Sequence, residues 1–107
     1  MSLDKVFFAL SDGTRRSILE KLKDVDMTVM QLADCYDMSF QAISKHLKVL
    51  DHAGLITKKK EGRKYLCSQK SSSLSLAILW ISSQHEFWKS SFDSLEEFLD
   101  GSTGKKI

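Results

Sequence analysis

Apolar residues recur every three or four positions along most of this chain, which is the spacing of amphipathic helices. The pattern predicts one short helix over Leu3–Leu10 and a second over about Thr14–Lys23. A third helix begins after Thr28, a favourable N-cap residue. Its apolar face consists of Val29, Leu32, Ala33 and Tyr36. The absence of proline suits such a mostly helical chain.

The segment Met38–Gly54 predicts a longer helix with one polar and basic face. Ser39 is a good N-cap, and Gly54 suits a left-handed C-terminal cap. The apolar face carries Ile43, Leu47, Leu50 and Ala53. The opposite face carries hydrogen-bonding and cationic side chains: Gln41, Ser44, Lys45, His46 and Lys48. Such side chains contact base edges and phosphates, although an ordinary surface helix can show the same pattern.

Asp37-Met38 joins these two helices by a very short turn. Two helices so connected form a helix-turn-helix, here residues 28–54, whose second helix enters the major groove of DNA. The second helix is called the recognition helix below.

Residues 55–68 predict a β-hairpin, the wing. The strands Leu55–Lys60 and Arg63–Ser68 flank Glu61-Gly62, and apolar Ile56, Tyr65 and Cys67 alternate with polar residues. Five cations lie at the tip: Lys58, Lys59, Lys60, Arg63 and Lys64. They could reach a phosphate backbone or a minor groove, whereas any one lysine could instead protect a strand edge from aggregation.

The last predicted helix, Leu74–Asp100, would be roughly 40 Å long. One apolar seam alternates spacings of four and three: Leu74, Ile78, Ile81, His85, Trp88, Phe92, Leu95 and Leu99. A second stripe contains Leu79, Trp80, Phe87 and Phe98. Two stripes favour a homodimer, in which one stripe packs on the chain's own domain and the other on a second copy of the protein. The alternative is a monomer in which both stripes pack on the same domain. The predicted dimer interface comprises Leu3, Phe7, Leu74, Ile78, Ile81, His85, Trp88, Phe92 and Leu95.

Length and charge distribution refine this picture. The 107 residues predict one winged helix-turn-helix domain over 1–100, mainly α with a small hairpin, and a disordered tail over 101–107. Residues 39–64 carry seven Lys and Arg against two Asp and Glu, although the whole chain carries only +2. Basic charge is thus concentrated on the recognition helix and wing, as on a DNA-binding surface. No signal peptide or membrane span is present, so we expect a cytoplasmic protein.

The candidate metal and catalytic residues are few. Cys35 and Cys67 lack a disulfide framework and are interpreted as reduced thiols and small apolar core residues. His85 on the seam could pair with its copy to bind zinc or respond to pH, or it could simply set the register of the dimer. No phosphate loop, paired metal ligands or catalytic triad is recognisable. We therefore expect no cofactor, no metal and no enzymatic activity.

The chain resembles the ArsR family of winged helix-turn-helix repressors over nearly its whole length. The motif A-L-x-D-P-T-R-x-x-I-L corresponds to Ala9–Leu19, and a long motif containing A-[IV]-S-[KR]-H-L and A-G-L-[IV] corresponds to Leu32–Ile56. A wing motif is approximated by Glu61–Leu66. The resemblance implies a homodimer that binds an inverted-repeat operator in double-stranded DNA, often that of its own operon. It places Ser39, Gln41, Ser44, Lys45, His46 and Arg63 at the DNA. It gives Arg15 and Arg16 a mainly structural, ion-pairing role, with a phosphate contact as the alternative.

The chain departs from the family pattern at a few positions. Gly13 replaces a usual proline, and Phe40-Gln41 replaces a common Gln-Pro pair, which affects the operator preferred. Thr28, Met30 and Ala33 stand where metal-sensing members have ligands, which resembles the branch without metal sites. The alternatives are a metal- or thiol-responsive sensor using His85 or Cys35, and a protein-interaction module without DNA binding. The operator, the regulated genes and any effector do not follow from the sequence.

Overall fold

The computed structural model describes residues 2–103, with side chains over residues 2–99. The elements in chain order are α1 (Leu3–Leu10), α2 (Gly13–Lys21), β1 (Met27–Thr28), α3 (Val29–Asp34), α4 (Phe40–His52), β2 (Ile56–Glu61), β3 (Lys64–Gln69) and α5 (Ser72–Thr103). The chain divides into two units, the first ending at Ala77 and the second beginning at Ile78. The predicted fold class, a helix-turn-helix with a small wing and a long C-terminal helix, is confirmed.

Polar caps set the starts of the first four helices. Each cap accepts a hydrogen bond from the backbone N–H three residues later: Ser2, Asp12, Thr28 and Ser39. Asp12 moves the start of α2 to Gly13, one residue before the predicted start. Thr28 and Gln31 form a reciprocal capping box, which supports a helix α3 of only six residues.

The sheet contains one strand more than predicted. Its order is β1-β3-β2, and β1 pairs antiparallel with β3, with Met27 opposite Cys67. Two residues are too short to show an alternating pattern, so β1 could not be predicted. The hairpin turn consists of Gly62-Arg63, one residue later than predicted, with Gly62 at φ 64° in the position that a type II′ turn gives to glycine.

One apolar core holds the first unit together. Its buried residues come from every element except β1: Val6, Ala9, Ile18, Leu19, Leu22, Leu32, Ile43, Leu47, Leu50, Ala53, Leu55, Ile56, Cys67 and Ala77. The predicted inner face of α4 is confirmed, because all four of its apolar residues belong to this core. Burial of each large aliphatic side chain contributes about 1.5–3 kcal/mol, so the core fixes the position of α4.

Helix α5 begins two residues before the predicted Leu74 and continues through Thr103. The predicted disordered tail over 101–107 therefore overlaps the helix in its first three residues, and 104–107 lie outside the described residues. Within residues 2–103, no helix combines the length and the apolar character needed to cross a membrane.

Candidate nucleic-acid interface

Helix α4 presents a polar face opposite its buried face. Gln41, Lys45 and Lys48 are exposed, and Ser44 is partly exposed. The exposed Ser39 caps the helix by accepting the Ala42 N–H at 3.1 Å. No acidic residue lies in the first turn of α4, so its N-terminus keeps the positive potential of the helix dipole. This face can therefore accept an anionic partner and hydrogen-bond with it.

The turn between α3 and α4 is held against helix α2 by two polar contacts. The hydroxyl groups of Ser17 and Tyr36 share a hydrogen bond of 2.8 Å, which ties the turn after α3 to helix α2. The Thr14 hydroxyl lies 4.0 Å from the Met38 sulfur. The turn between the two helices is thus fixed at both ends, as a rigid helix-turn-helix requires.

All five cations of the wing are exposed. The alternation along β2 places Lys58 and Lys59 on opposite faces of the sheet. Lys58 is paired with buried Cys67, whereas Lys59 is paired with Leu66. Paired residues of neighbouring strands point to the same face, so Lys58 lies on the inner face of the sheet and Lys59 on the outer face. Lys60, Arg63 and Lys64 follow at the tip.

Lys58 meets the recognition helix at a cleft of about 240 Å³, lined by Ser44, Lys45, Lys48 and Lys58. Three lysines and one serine line this cleft, and no acidic residue is among them. Several positive charges close together favour the binding of an anion, and a DNA phosphate has both the negative charge and the acceptor oxygens.

His46 is the predicted DNA-contact residue whose surroundings differ most from the expectation. Its side chain is 18% exposed, and Nδ1 lies 3.2 Å from Nη1 of Arg15. Arg15 can only donate, so Nδ1 accepts and the neutral imidazole carries its proton on Nε2. Asp12 Oδ2 lies 3.8 Å from the same nitrogen. His46 therefore contacts the residues around the start of α2, and a contact with DNA stays a prediction.

Arg15 is 8% exposed and binds three acceptors. It donates through Nε to the Ala9 carbonyl at 2.8 Å, through Nη2 to the Phe8 carbonyl at 2.9 Å, and through Nη1 to His46. Arg16 donates to the Leu10 carbonyl at 2.7 Å. Both arginines have the structural role that was expected, but the partners that the structure gives them are carbonyls at the end of α1 and not the carboxylates of the expected ion pairs.

Asp12 is ionised more readily than a free aspartate. The backbone N–H of Arg15 donates to Oδ2 at 3.1 Å and lowers the pKa of Asp12. The charge of Arg15, and that of His46 when its ring is protonated, act in the same direction against partial desolvation. The signal for this cap is visible in the D-G-T-R sequence, because Asp is a strong N-cap residue.

The predicted dimer residues fall into both units. In the first unit Leu3 and Leu74 pack partly on the core, and the Phe7 side chain is 36% exposed. In the second unit every described side chain from 78 to 99 is exposed. The predicted interface members there are Ile78, Ile81, His85, Trp88, Phe92 and Leu95. Their role in a dimer stays a prediction.

The prediction that Cys35 is a buried core residue is wrong. The thiol is exposed and donates to the Gln31 carbonyl at 3.3 Å, because α3 ends at Asp34 and Cys35 caps it outside the apolar face. Cys67 is buried as predicted, and this burial raises its pKa. Both thiols are free. No group of three or more His, Cys, Asp and Glu residues placed to hold a metal ion occurs in the part of the chain that the structure describes.

Three comparisons with known proteins bear on this site. The family model described as "Bacterial regulatory protein, arsR family" matches residues 12–58, which span α2 to the start of the wing. The transcriptional repressor SdpR of Bacillus subtilis is 37% identical over 79 residues, which are 74% of this chain and 88% of SdpR.

Two solved structures resemble the fold. An ArsR-like transcriptional regulator from Rhodococcus sp. RHA1 is 30% identical, with a TM-score of 0.78 over 92% of this chain and 91% of its own. The DNA-binding domain of Mb0332 from Mycobacterium bovis, described as a homodimeric winged helix-turn-helix, is 24% identical, with a TM-score of 0.63 over 78% of this chain and 79% of its own. At that identity the second likeness shows the fold alone.

Proposed function

The chain belongs to the ArsR family of bacterial regulatory proteins and is a DNA-binding transcriptional regulator, and from that premise we propose that it represses transcription as a homodimer on an inverted-repeat operator. The observation that carries this proposal is the cleft in which Lys45 and Lys48 of α4 meet Lys58 of the wing. No acidic residue lines this cleft to balance its three positive charges. A phosphate backbone supplies the opposite charge.

We propose a division of roles between the two elements. Gln41 and Ser44 contact base edges from the exposed face of α4, and Lys45 and Lys48 bind phosphate beside them. The wing cations bind the backbone and reach the adjacent minor groove. Among the predicted contacts, His46 acts through its bond to Arg15, which orients the helix, and Ser39 acts as its cap.

The second unit supplies the dimer in this proposal. An exposed seam of large apolar side chains continues from Ile78 to Leu99. Contiguous apolar patches of this extent are uncommon on monomers. A two-fold dimer would place its two recognition helices one DNA turn apart, roughly 34–36 Å, and so match two inverted half-sites. SdpR is named a repressor, which supports repression as the outcome, and autoregulation makes the DNA upstream of the gene the first operator to test.

Fluorescence anisotropy tests the proposal. The full chain is titrated into labelled DNA from upstream of its gene and into scrambled DNA of equal length, at about 50 and 200 mM salt, where phosphate contacts show their strength. Tight, selective binding of two subunits per site supports a dimeric regulator of its own gene. Equal weak binding to both fragments would place the operator elsewhere. No binding at the lower salt would overturn operator binding in favour of the protein-interaction module.

A further inference from the structure

Phe40 is one of the large apolar side chains that the first unit leaves exposed. It is the first residue of α4, directly after the Ser39 cap, and 47% of its surface is exposed. The core of the first unit is complete without it. About half of the Phe40 surface is therefore available for contact with a partner.

Helical geometry places Phe40 on the same ridge as two proposed DNA contacts. Phe40, Ser44 and Lys48 are four residues apart, and residues at this spacing form a continuous row along a helix. Ser44 and Lys48 line the cleft next to Lys58. If that cleft lies on a DNA phosphate, Phe40 lies at the amino-terminal end of the row, where recognition helices contact bases.

The chemistry of the side chain restricts what it can contact there. A phenyl ring has no hydrogen-bond donor or acceptor suited to a phosphate or a polar base edge. The major groove exposes one apolar base substituent, the C5-methyl group of thymine, and apolar side chains recognise it by contact. We propose that Phe40 packs on a thymine methyl group in each half-site and thereby determines part of the sequence preference. This inference rests on the proposed operator binding.

The test begins by selecting preferred duplexes from a random DNA pool with the wild-type protein. Each thymine of the selected duplex is then replaced in turn by deoxyuridine, which removes only the methyl group. We expect one thymine per half-site at which this replacement weakens wild-type binding about fourfold, the loss expected for one methyl group returned to water. In Phe40→Ala the same replacement should have no effect.

Met30→Ala is the matched control, because Met30 is also exposed (61%) but lies on α3. It should leave the deoxyuridine effect unchanged. Phe40→Gln provides a second measurement, because glutamine forms hydrogen bonds with adenine. A repeated selection with this variant should replace thymine by another base at this one position. An equal deoxyuridine effect in wild type and Phe40→Ala, or an unchanged selection with Phe40→Gln, would overturn the Phe40 contact while operator binding stands. A pool from which wild type enriches nothing would overturn both.

Discussion

Gly54 and Gly62 both have a positive φ, but their surroundings differ. Gly54, just after α4, has φ 73°, and a Cβ there would collide with the buried hydroxyl of Ser73. Gly62, in the wing turn, has φ 64° and open space around it. The Ser73 hydroxyl has no hydrogen-bond partner among the described residues. Position 54 therefore requires glycine because of its positive φ and because a side chain would not fit beside Ser73. Position 62 requires glycine only because of its positive φ.

We expect Gly54→Ala to lower the free energy of unfolding more than Gly62→Ala, as measured by urea denaturation. Strain from a positive φ at a residue other than glycine amounts to about 1–3 kcal/mol at either site, and the clash at position 54 adds about 1–3 kcal/mol. In a Ser73→Ala background the clashing oxygen is gone, so the effect of Gly54→Ala should fall toward that of Gly62→Ala. Equal effects at both glycines would contradict the clash.

Asp12 predicts a dependence of stability on pH. Its folded-state pKa is lowered, so its contribution is fully present above the usual aspartate pKa of 3.8 and is lost as pH falls through the lowered value. Asp12→Asn keeps a good N-cap but removes the charge. The free energy of unfolding of wild type should exceed that of the variant at about pH 7, and the difference should shrink by about pH 3. A constant difference would show that ionisation of Asp12 is irrelevant.

At the scale of elements, one buried guanidinium joins three helices. Arg15 belongs to α2, its Nε and Nη2 bind carbonyls of α1, and its Nη1 binds His46 of α4. Its guanidinium also lies 5.1 Å from the centre of the Phe8 ring. The orientation of the recognition helix thus depends on a residue outside the helix-turn-helix.

Arg15→Ala should destabilise the fold by about 2–3 kcal/mol, because it leaves buried carbonyl acceptors without a charged donor. Arg16→Ala removes a similar side chain from an exposed position and should change stability by less than about 1 kcal/mol. Thermal unfolding of both variants measures the difference. Similar melting temperatures for the two would rule out the proposed role of Arg15.

The recognition helix and the wing should differ in what they contribute to binding. Arg63→Ala with Lys64→Ala should weaken binding to all DNA sequences and flatten the salt dependence by about 0.9 for each phosphate that is no longer neutralised. Gln41→Ala should instead change the preferred sequence and leave the salt slope nearly unchanged. Anisotropy titrations over a series of salt concentrations and operator variants distinguish the two. A uniform decrease in affinity on every sequence from Gln41→Ala would contradict its assignment to base contacts.

At the scale of the whole molecule, the second unit carries a long run of exposed apolar side chains. The seam from Ile78 to Leu99 alternates spacings of four and three, and its large apolar side chains are about half exposed. Trp88 lies against Phe87 and Phe92 with ring centroids 5.5 and 5.7 Å apart. A second copy of the chain provides a matching apolar seam, and two-fold symmetry allows each to cover the other.

Phe92→Glu should therefore convert a dimer to a monomer, because it places a charge in the centre of the seam. Ser90→Glu adds the same charge at a position outside both apolar stripes and should leave the dimer intact. Light scattering after gel filtration measures the mass, and anisotropy should show weaker operator binding for Phe92→Glu alone. A dimeric Phe92→Glu variant would place the dimer contact elsewhere.

Particular residues show which features the sequence could predict. The caps Thr28 and Ser39 and the inner face Ile43, Leu47 and Leu50 were predicted correctly, because each depends on neighbours within one or two helical turns. The hairpin and its glycine turn were predicted within one residue for the same reason. The basic character of the recognition helix and wing is likewise a property of the linear chain.

By itself, then, the sequence determined the helices, the wing, the position of the basic charge and the family, since local interactions and composition are sufficient for these. Only the tertiary structure decided how distant residues meet. The Arg15–His46 bond joins residues 31 positions apart, and strand β1 exists only because β3 lies beside it. Gly54 meets Ser73, and Lys58 meets α4, through folding alone. Such contacts depend on the packing of whole elements, which no short stretch of sequence encodes.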